Sequence, residues 1–430
     1  MSVTASSPLG RPQLVHWRTA IFTLFLLCGL TFASWASRLP AVKQNLGIDD
    51  FEVGVLLFAM GAGSLIGVMS ANVIVARWGA RRGLSVTLVG VAIGLFVAAL
   101  GVDALGSYPV AVVGLALMGL SFGATDVMIN VEAASVEQAF GRTLMPLFHA
   151  FFSLGTVAGA GIGVAMAAWG VGVTWHLGVV AVVWFVITGV ALRFVPASER
   201  IAEKAVGAMP PRRERMHAAL EVWRDPRTYA IGAIILGMAF AEGSANDWLT
   251  IAVVDGHGET EATGAIFLTV FSVSMTVFRA IGGPLVDRIG RVWTLRALSI
   301  AAGIGLVIFI LAPNLPIAFV GVALWGAGAS LGFPLGMSAA ADDPTKAAAS
   351  VSAAATIGYV AFLCGPPVLG WISHQIGILP TLWIIVALIA MSGFASGAAK
   401  PLATSTVGGG HRTPVSGDRT GDRDEVPARD

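Results

Sequence analysis

The feature that most constrains this chain is a succession of long apolar runs separated by short polar stretches. A helix needs about 20 predominantly apolar residues to cross the hydrocarbon core of a bilayer. The runs are too long and too evenly apolar for the short alternating segments of barrel strands, so we expect membrane-spanning helices. Twelve candidate spans lie at residues 17–37, 52–76, 85–103, 109–135, 146–170, 174–195, 228–253, 262–285, 293–312, 315–340, 347–372 and 378–399.

Charge is scarce, and its placement predicts how the chain is oriented. Only 12% of the residues are charged, against about 25% in a soluble domain. If both termini are cytoplasmic, only Arg38 and Lys43 of the 26 basic residues face outward. Loops rich in Lys and Arg stay on the cytoplasmic side, so we expect cytoplasmic termini and a multi-pass protein of a bacterial inner membrane. Basic residues spread along one membrane face do not indicate a nucleic-acid partner.

The twelve spans fall into two halves that resemble each other. The sequence "ALMG" (Ala116–Gly119) in the fourth span has its counterpart in "ALWG" (Ala323–Gly326) in the tenth. Repeated membrane halves build a transport route at their interface, with the binding site near the bilayer midplane. We therefore predict an all-α fold of two pseudo-symmetric six-helix bundles. The predicted segments are an N-terminal cytoplasmic segment 1–16, a first bundle 17–195, a central cytoplasmic loop 196–227, a second bundle 228–400 and a disordered tail 401–430.

One loop carries a specific motif. The stretch "GGPLVDRIGRVW" (Gly282–Trp293) contains the pattern G-x-L-x-D-R-x-G-R, and in this it resembles the major facilitator superfamily. The equivalent loop of the first half, "NVIVARWGARR", has Ala76 in place of the acid. The resemblance covers residues 12–400 and implies alternating access, with a conformational gate at these loops. The gate candidates are Gly283, Asp287, Arg288, Gly290, Arg291, Arg77, Gly79 and Arg81.

Asp287 is the gate residue with the clearest chemistry. Placed at a helix end among arginines, it can make charge-assisted hydrogen bonds that hold one conformation. The alternative is that the arginines of this loop only set the topology, because Lys and Arg concentrate in cytoplasmic loops in any case.

Two spans carry a carboxylic acid where only apolar residues are expected. A charge at the centre of a membrane helix costs about 2.5–3.5 kcal/mol on insertion scales, so such a residue is a functional candidate. Asp126 and Asn130 are four residues apart in the fourth span, and Glu242 and Asn246 are four apart in the seventh. Residues at this spacing share a helix face. We expect Asp126 and Glu242 to be proton-coupling sites, each beside an amide.

The fourth span adds a narrower resemblance. "TDVMIN", followed by "FHAFFSLG" in the next span, is similar to the fucose–proton symporter branch of the superfamily. The resemblance implies that Asp126 accepts the proton and that Asn130 is its polar neighbour or contacts the substrate. The sequence departs from that branch in the first span, which lacks its acid, and has Glu242 in the seventh span instead. Because of this difference the resemblance does not identify the solute, but proton coupling is still expected.

Several further polar and aromatic residues are candidates for a substrate cavity, although packing is the alternative for each aromatic. For Asp126 the alternative to proton coupling is a structural role, in which its carboxylate is permanently bonded to a neighbouring helix end. The cavity candidates are Asn130, Asn246, Trp35, His149, Trp325 and Tyr359.

The expected function is that of a proton-coupled secondary carrier. No phosphate-binding Walker loop and no metal-ligand spacing occurs, so we expect neither an enzyme nor a cofactor or bound metal. The expected partners are a small solute, protons and the lipid bilayer, and the chain is expected to be a monomer. Import by symport is favoured over efflux by antiport, because "GTVAGAGIG" in the fifth span lacks the proline of the antiporter signature. A non-transporting sensor or scaffold is the third hypothesis.

Overall fold

A computed structural model describes residues 10–141, 144–196, 221–343 and 346–402, and within these residues the chain is helical and has no strand. The α-helices that lie wholly within this part of the chain are α1 (Arg11–Ala36), α2 (Leu39–Leu46), α3 (Asp50–Trp78), α4 (Ala80–Ala99), α5 (Tyr108–Phe140), α6 (Met145–Ala168), α7 (Val173–Ala191), α8 (Pro226–Ile251), α9 (Glu261–Ile289), α10 (Arg291–Leu311), α11 (Leu315–Ala329), α12 (Gly332–Ala340), α13 (Ala347–Ile376) and α14 (Ile378–Ala395).

Twelve segments of the described chain are long and apolar enough to span a membrane, as predicted. The short helix α2 is not one of them, and α11 and α12 together form a single span. The fourth span is longer than expected: α5 continues to Phe140 rather than 135. Most of the predicted central loop, nearly all of the predicted tail and residues 1–9 of the predicted N-terminal segment lie outside the described residues.

The helix starts follow from local hydrogen bonding. At the start of α3 the Asp49 carboxylate accepts a hydrogen bond from the backbone N–H of Glu52, whose own carboxylate accepts one from the backbone N–H of Asp49. This reciprocal pair satisfies two N–H groups that have no partner within the helix. Thr260 and Asn314 cap α9 and α11 in a simpler way, with one side-chain oxygen each. Polar residues in the loops thus fix where each apolar run becomes helical.

The two halves, α1–α7 and α8–α14, repeat in geometry as well as in sequence. Gly79 precedes α4 with φ 77° and ψ 161°, and Gly290 precedes α10 with φ 78° and ψ 158°. A positive φ of this size is open to glycine and strained for other residues. Fifteen residues further on, Gly94 and Gly305 each lie against the backbone of the following helix. The turns and close contacts that position the third span therefore recur in the ninth.

Glycines bring the spanning helices into direct backbone contact. A methyl group on Gly67 of α3 would lie 2.0 Å from the carbonyl oxygen of Leu120 in α5. Gly123 of α5 lies equally close to α3, because its methyl group would be 2.1 Å from the carbonyl oxygen of Ser64. Small residues at such positions let helices pack in lipid, where burial of apolar side chains supplies little driving force. The pairs α3–α5 and α1–α6 form the tightest parts of the first half.

With an even number of spans, the start of α1 and the end of α14 lie on one membrane side, which we call the terminal face. The opposite side, which carries α2, is called the far face. Both α4 and α8 reach the far face through a π-helical turn, Leu100–Ala104 and Ala252–Gly256. These turns hold Asp103 and Asp255 at that face.

Candidate functional site

A central cavity of about 270 Å³ lies between the two halves. Residues of α1, α3, α5, α8 and α13 line it, and its wall is mainly apolar. The polar groups that it exposes include those of Asn246 and Tyr359, both of which the sequence analysis proposed for a substrate cavity. Clefts of mainly apolar lining with a few convergent polar groups are the usual form of a small-molecule site. This cavity is therefore the candidate binding site.

Asp126 lies on the cavity side of α5, toward the terminal face. It follows the cavity-lining residues Gly119 and Phe122 by seven and four residues, so it shares their helix face. Its side chain is exposed, and Tyr359 of the other half lies within range of its charge. The carboxylate accepts a hydrogen bond of 3.2 Å from the amide of Asn130, which also donates to the backbone oxygen of Asp126 at 2.9 Å. Within the described residues no cation is paired with it.

Glu132, a second acid on α5, has the opposite environment. It is buried, and one carboxylate oxygen accepts a hydrogen bond of 3.0 Å from the indole N–H of Trp17 in α1. Six residues after Asp126, it points to a different side of the helix. Two acids of α5 therefore differ in environment: Asp126 is exposed between the halves, and Glu132 is buried between α5 and α1.

Asp247 is a cavity residue that the sequence analysis did not select. It lines the cavity next to Asn246, and no hydrogen bond or ion pair to it is found in the described part of the chain. The sequence did contain a signal, since Asp247 is a charged residue inside an apolar span. The acid that the sequence predicts for this span is Glu242, five residues earlier.

The structure pairs Glu242 with a cation. Its two carboxylate oxygens each accept a hydrogen bond of 2.9 Å from the guanidinium of Arg279 in α9. Arg279 also donates to the backbone oxygen of Ser330, at the break between α11 and α12. Glu242 thus lies in an ion pair between α8 and α9, whereas no cation is paired with Asp126 in the part of the chain described. The role of Glu242 in proton coupling stays a prediction.

Two aromatic cavity candidates lie in the core in this structure. Trp35 and Trp325 are both fully buried and do not line the cavity. Trp325 donates its indole N–H to the backbone oxygen of Ala241 at 3.0 Å and packs edge-on against Phe271. Both rings therefore pack in the core, which is the alternative that the sequence allows for these aromatics, because large rings fill the gaps between helices. His149 and Asn130 are outside the cavity wall as well, and His149 is exposed with its ring edge-on to Phe25.

The two halves are joined at the far face. Within the described ranges, every hydrogen bond or ion pair found between α1–α7 and α8–α14 lies there. Lys43 is central, since its ammonium bonds both Asp50, at 2.5 Å, and Asp255 of the other half. Burial lowers the pKa of Lys43, but its hydrogen bonds to Asp255 and Asp50 outweigh this and hold that pKa above its ordinary value. The cross-half pairs are Lys43–Asp255, Arg38–Glu261 at 2.6 Å, Ser373–Asp50, His374–Asp49 at 3.2 Å and Thr250 to the Ala36 oxygen at 3.3 Å.

We call Arg38, Lys43, Asp50, Asp255 and Glu261 the far-face gate. Arg38 is only 3% exposed, and it also donates a hydrogen bond of 2.7 Å to the backbone oxygen of Val171. Toward the terminal face, no comparable bond joins the halves in the part of the chain described. The exposed Asp126 and His149 lie on that side. Among the described residues, the polar contacts that join the halves are thus confined to the far face.

The predicted loop gate is only partly assembled in this conformation. Arg291 bonds Asp342, at 2.5 and 3.1 Å, rather than Asp287, and Arg227 bonds the same carboxylate at 2.8 Å. Asp287 is exposed and has no bonding partner among the residues described. Burial raises the pKa of Asp342, but the two arginines outweigh it and hold that pKa below its ordinary value.

The remaining gate candidates occupy the loops as expected, although their gating role stays a prediction. Arg77 and Arg288 are exposed, Arg81 is half-buried, and Gly283 has free space around it. The glycines Gly79 and Gly290 form the turns between spans.

Comparison with known proteins agrees with this architecture. The Major Facilitator Superfamily profile matches residues 20–366 and 248–405. An uncharacterized MFS-type transporter of Yersinia pestis is 30% identical over 388 residues, covering 90% of this chain and 95% of the relative. The nucleoside transporter NupG shares the fold with a TM-score of 0.70 at 15% identity, over 89% of this chain and 98% of that one. The E. coli fucose:proton symporter FucP shares the fold with a TM-score of 0.59 at 16% identity, over 89% of this chain and 98% of that one.

These similarities cover nearly the whole chain and coincide with the twelve spans, the repeated halves and the motif at Gly283–Arg291. The two solved structures share the fold at low identity, while the family match rests on sequence. The chain therefore belongs to the major facilitator superfamily of membrane transporters, and not to a family of enzymes.

Proposed function

We propose that this transporter is a proton-coupled secondary carrier that imports a small polar solute across the bacterial inner membrane by alternating access. The observation that carries the proposal is the Asp126 carboxylate. It lies exposed on the side where the halves part, with an amide of its own helix as its hydrogen-bond partner. A group in this position can exchange a proton with water in one conformation and be enclosed between the halves in the other.

The terminal face is assigned to the cytoplasm. The loops at this face hold most of the arginines, whereas Arg38 and Lys43 lie at the far face. This distribution follows the positive-inside rule. Under this orientation the structure is the inward-open state, and the far-face gate closes the outer entrance.

Coupling follows from the charge at Asp126. Enclosing a charged carboxylate between the two halves costs more than enclosing a neutral one. Protonation therefore favours the conformations in which Asp126 is enclosed, and deprotonation toward the cytoplasm favours the open state. A ligand shifts a conformational equilibrium only through its different affinity for the two states, and here the proton provides that difference.

The cavity suits a neutral solute with hydroxyl groups and one apolar face. Asn246 and Asp247 offer donors and acceptors on one wall, and Phe32, Phe122 and Tyr359 offer aromatic surface. Aromatic rings stack against sugar or base faces, while amide and carboxylate groups bond hydroxyls. The names of the structural neighbours NupG and FucP refer to solutes of this kind, a nucleoside and fucose. We therefore propose a sugar or nucleoside.

The test uses the purified carrier in proteoliposomes. A thermal-shift screen of sugars and nucleosides first identifies a solute. With Asp126→Asn we expect accumulation driven by a pH gradient to be lost, while exchange of labelled for unlabelled solute continues, because exchange needs no net proton movement. Glu132→Gln is the matched control, since it neutralises an acid of the same helix that is bonded to Trp17. Undiminished gradient-driven accumulation in Asp126→Asn would contradict the proposal.

Efflux by antiport is the second candidate, and one observation favours it. Asp247, which has no ion pair or hydrogen bond among the described residues, lies in a cavity wall that is otherwise mainly apolar, and this also suits an organic cation. The same vesicles separate the two functions. A symporter accumulates solute when the outside is acidic, whereas an antiporter accumulates it when the inside is acidic.

A further inference from the structure

A groove on the outer surface of the second half lies apart from the central cavity. It runs between α10 and α14 and has a volume of about 760 Å³. Gly303 leaves its floor open, since a methyl group added there would meet only Ile389, at 3.7 Å. Ile300 and Phe394 on its walls are exposed, Phe394 to 88%. The groove thus has the shape and the apolar lining to hold a flexible hydrocarbon chain.

A cation lies at the terminal-face end of this groove. The guanidinium of Arg296 lies 5.1 Å from the ring centre of Trp293, and its Nε donates to the hydroxyl of Ser396 at 3.0 Å. Stacking on an aromatic face and one hydrogen bond hold the planar group in place. No acid is paired with Arg296 in the described chain. The terminal nitrogens of its guanidinium therefore remain available as donors.

The depth of these groups matches the interface of a bilayer. Trp293 and Arg296 lie in the first two turns of α10, at the terminal face, and Trp293 is 63% exposed. Tryptophan is enriched at the headgroup level of membranes. Gly303 follows Arg296 by seven residues, which places it about 10 Å deeper along the helix. The groove thus joins a headgroup-level cation to an apolar channel in the hydrocarbon layer.

We infer that this groove binds an anionic phospholipid of the terminal-face leaflet, with the phosphate on Arg296 and an acyl chain between α10 and α14. Arg binds phosphate through several N–H groups at once, and basic pockets between spanning helices select anionic headgroups. The first half offers no equivalent. Aligning Gly79 with Gly290 places Ser85 opposite Arg296 and Arg82 opposite Trp293. The Trp293–Arg296 pair is therefore not repeated at the equivalent positions of the first half.

The experiment measures thermal unfolding of the purified full-length carrier in detergent, titrated with phosphatidylglycerol or with phosphatidylcholine of the same acyl chains. We expect phosphatidylglycerol to raise the unfolding temperature more than phosphatidylcholine. Arg296→Gln removes most of this difference. The control Arg193→Gln, at an exposed arginine of the first half near the same face, leaves it intact.

A second variant tests the apolar part of the site. Gly303→Leu fills the floor where the structure has free space, so the protein is expected to fold and to lose the shift with both lipids. Inorganic phosphate alone is expected to give no shift, since the acyl chain supplies part of the binding. Equal shifts with the two lipids, or a full phosphatidylglycerol effect in Arg296→Gln, would show ordinary surrounding lipid and overturn the inference.

Discussion

Residues of the same type take different roles here because their neighbours differ. Asp126 is exposed between the halves, Glu132 is buried against Trp17, Glu242 is paired with Arg279, and Asp342 bonds two arginines. A carboxylate held by cations stays charged, whereas one without them can change its protonation state as the conformation changes. Among the described residues, no cation is paired with Asp126 or Asp247, and for this reason the proposed proton coupling is placed at the interface.

The Asp342 cluster has a predictable pH dependence. Its pKa is lowered below the ordinary value of 3.8 when folded. A lowered pKa contributes stability that is present above the unfolded value and is lost as the pH falls through the folded value. We expect Asp342→Asn to destabilise the second half by about 1.5–3 kcal/mol at pH 7, because two arginines lose their acceptor.

Thermal unfolding of wild type and Asp342→Asn in detergent, from pH 7 down to about pH 3, measures this effect. The difference in unfolding temperature between the two proteins should narrow below pH 4 as the wild-type carboxylate becomes protonated. A gap that stays constant over this range would mean that the charge of Asp342 contributes little.

At the scale of helices, backbone contact decides how the spans associate. Gly67 and Gly123 lie at the α3–α5 contact, where any side chain would meet a carbonyl oxygen. Gly161 of α6 is likewise a glycine inside a helix, but a methyl group there would meet nothing within 4 Å. Glycines in one sequence pattern can therefore serve different purposes, and only some of them are needed for packing.

This difference predicts opposite effects of the same substitution. Gly67→Ala should cost about 1–3 kcal/mol, because α3 and α5 must move apart. Gly161→Ala should be neutral or should stabilise the protein by up to about 1 kcal/mol, since alanine favours helix. Unfolding temperatures of the two variants in detergent measure both effects, and equal values would argue against the α3–α5 contact as described.

For the molecule as a whole, the balance between its two open states depends on contacts at each face. The far-face gate holds the present state through Lys43, which bridges Asp50 of one half to Asp255 of the other. Under the proposed alternating access, opening the far face requires these bonds to break. Asp287, which has no bonding partner among the residues described, is the predicted gate residue at the terminal face.

Weakening the gate should shift this balance. Lys43→Met keeps the side-chain length and removes the cross-half ion pair. If the substitution removes about 1 kcal/mol of the stabilisation that holds the far face closed, the fraction of molecules open at that face rises about five-fold. In a protein with Cys28 and Cys364 replaced, Met60→Cys places a reporter in the cavity wall.

Its labelling rate with an impermeant thiol reagent applied from the far face measures the shift. Lys346→Met is the control, because Lys346 bonds Glu221 at the terminal face and does not join the halves. An unchanged labelling rate in Lys43→Met would mean that the other cross-half contacts suffice to hold the far face closed.

Sequence alone determined the membrane class, the twelve spans, the two repeated halves and the presence of acids within apolar helices. These properties are local, since hydropathy over about 20 residues depends only on the residues themselves. The face of α5 was also predictable, because helical periodicity separates Asp126 from Glu132. The sequence likewise indicated Asn246 and Tyr359 for the cavity.

Only the tertiary structure decided which partner each of these residues meets. Glu242 and Arg279 are 37 residues apart, Arg291 and Asp342 are 51 apart, and Lys43 and Asp255 are 212 apart. Such pairs depend on how helices are placed around each other, and no local pattern contains that information. For the same reason Trp35 and Trp325 lie in the core, while Asp247 reaches the cavity.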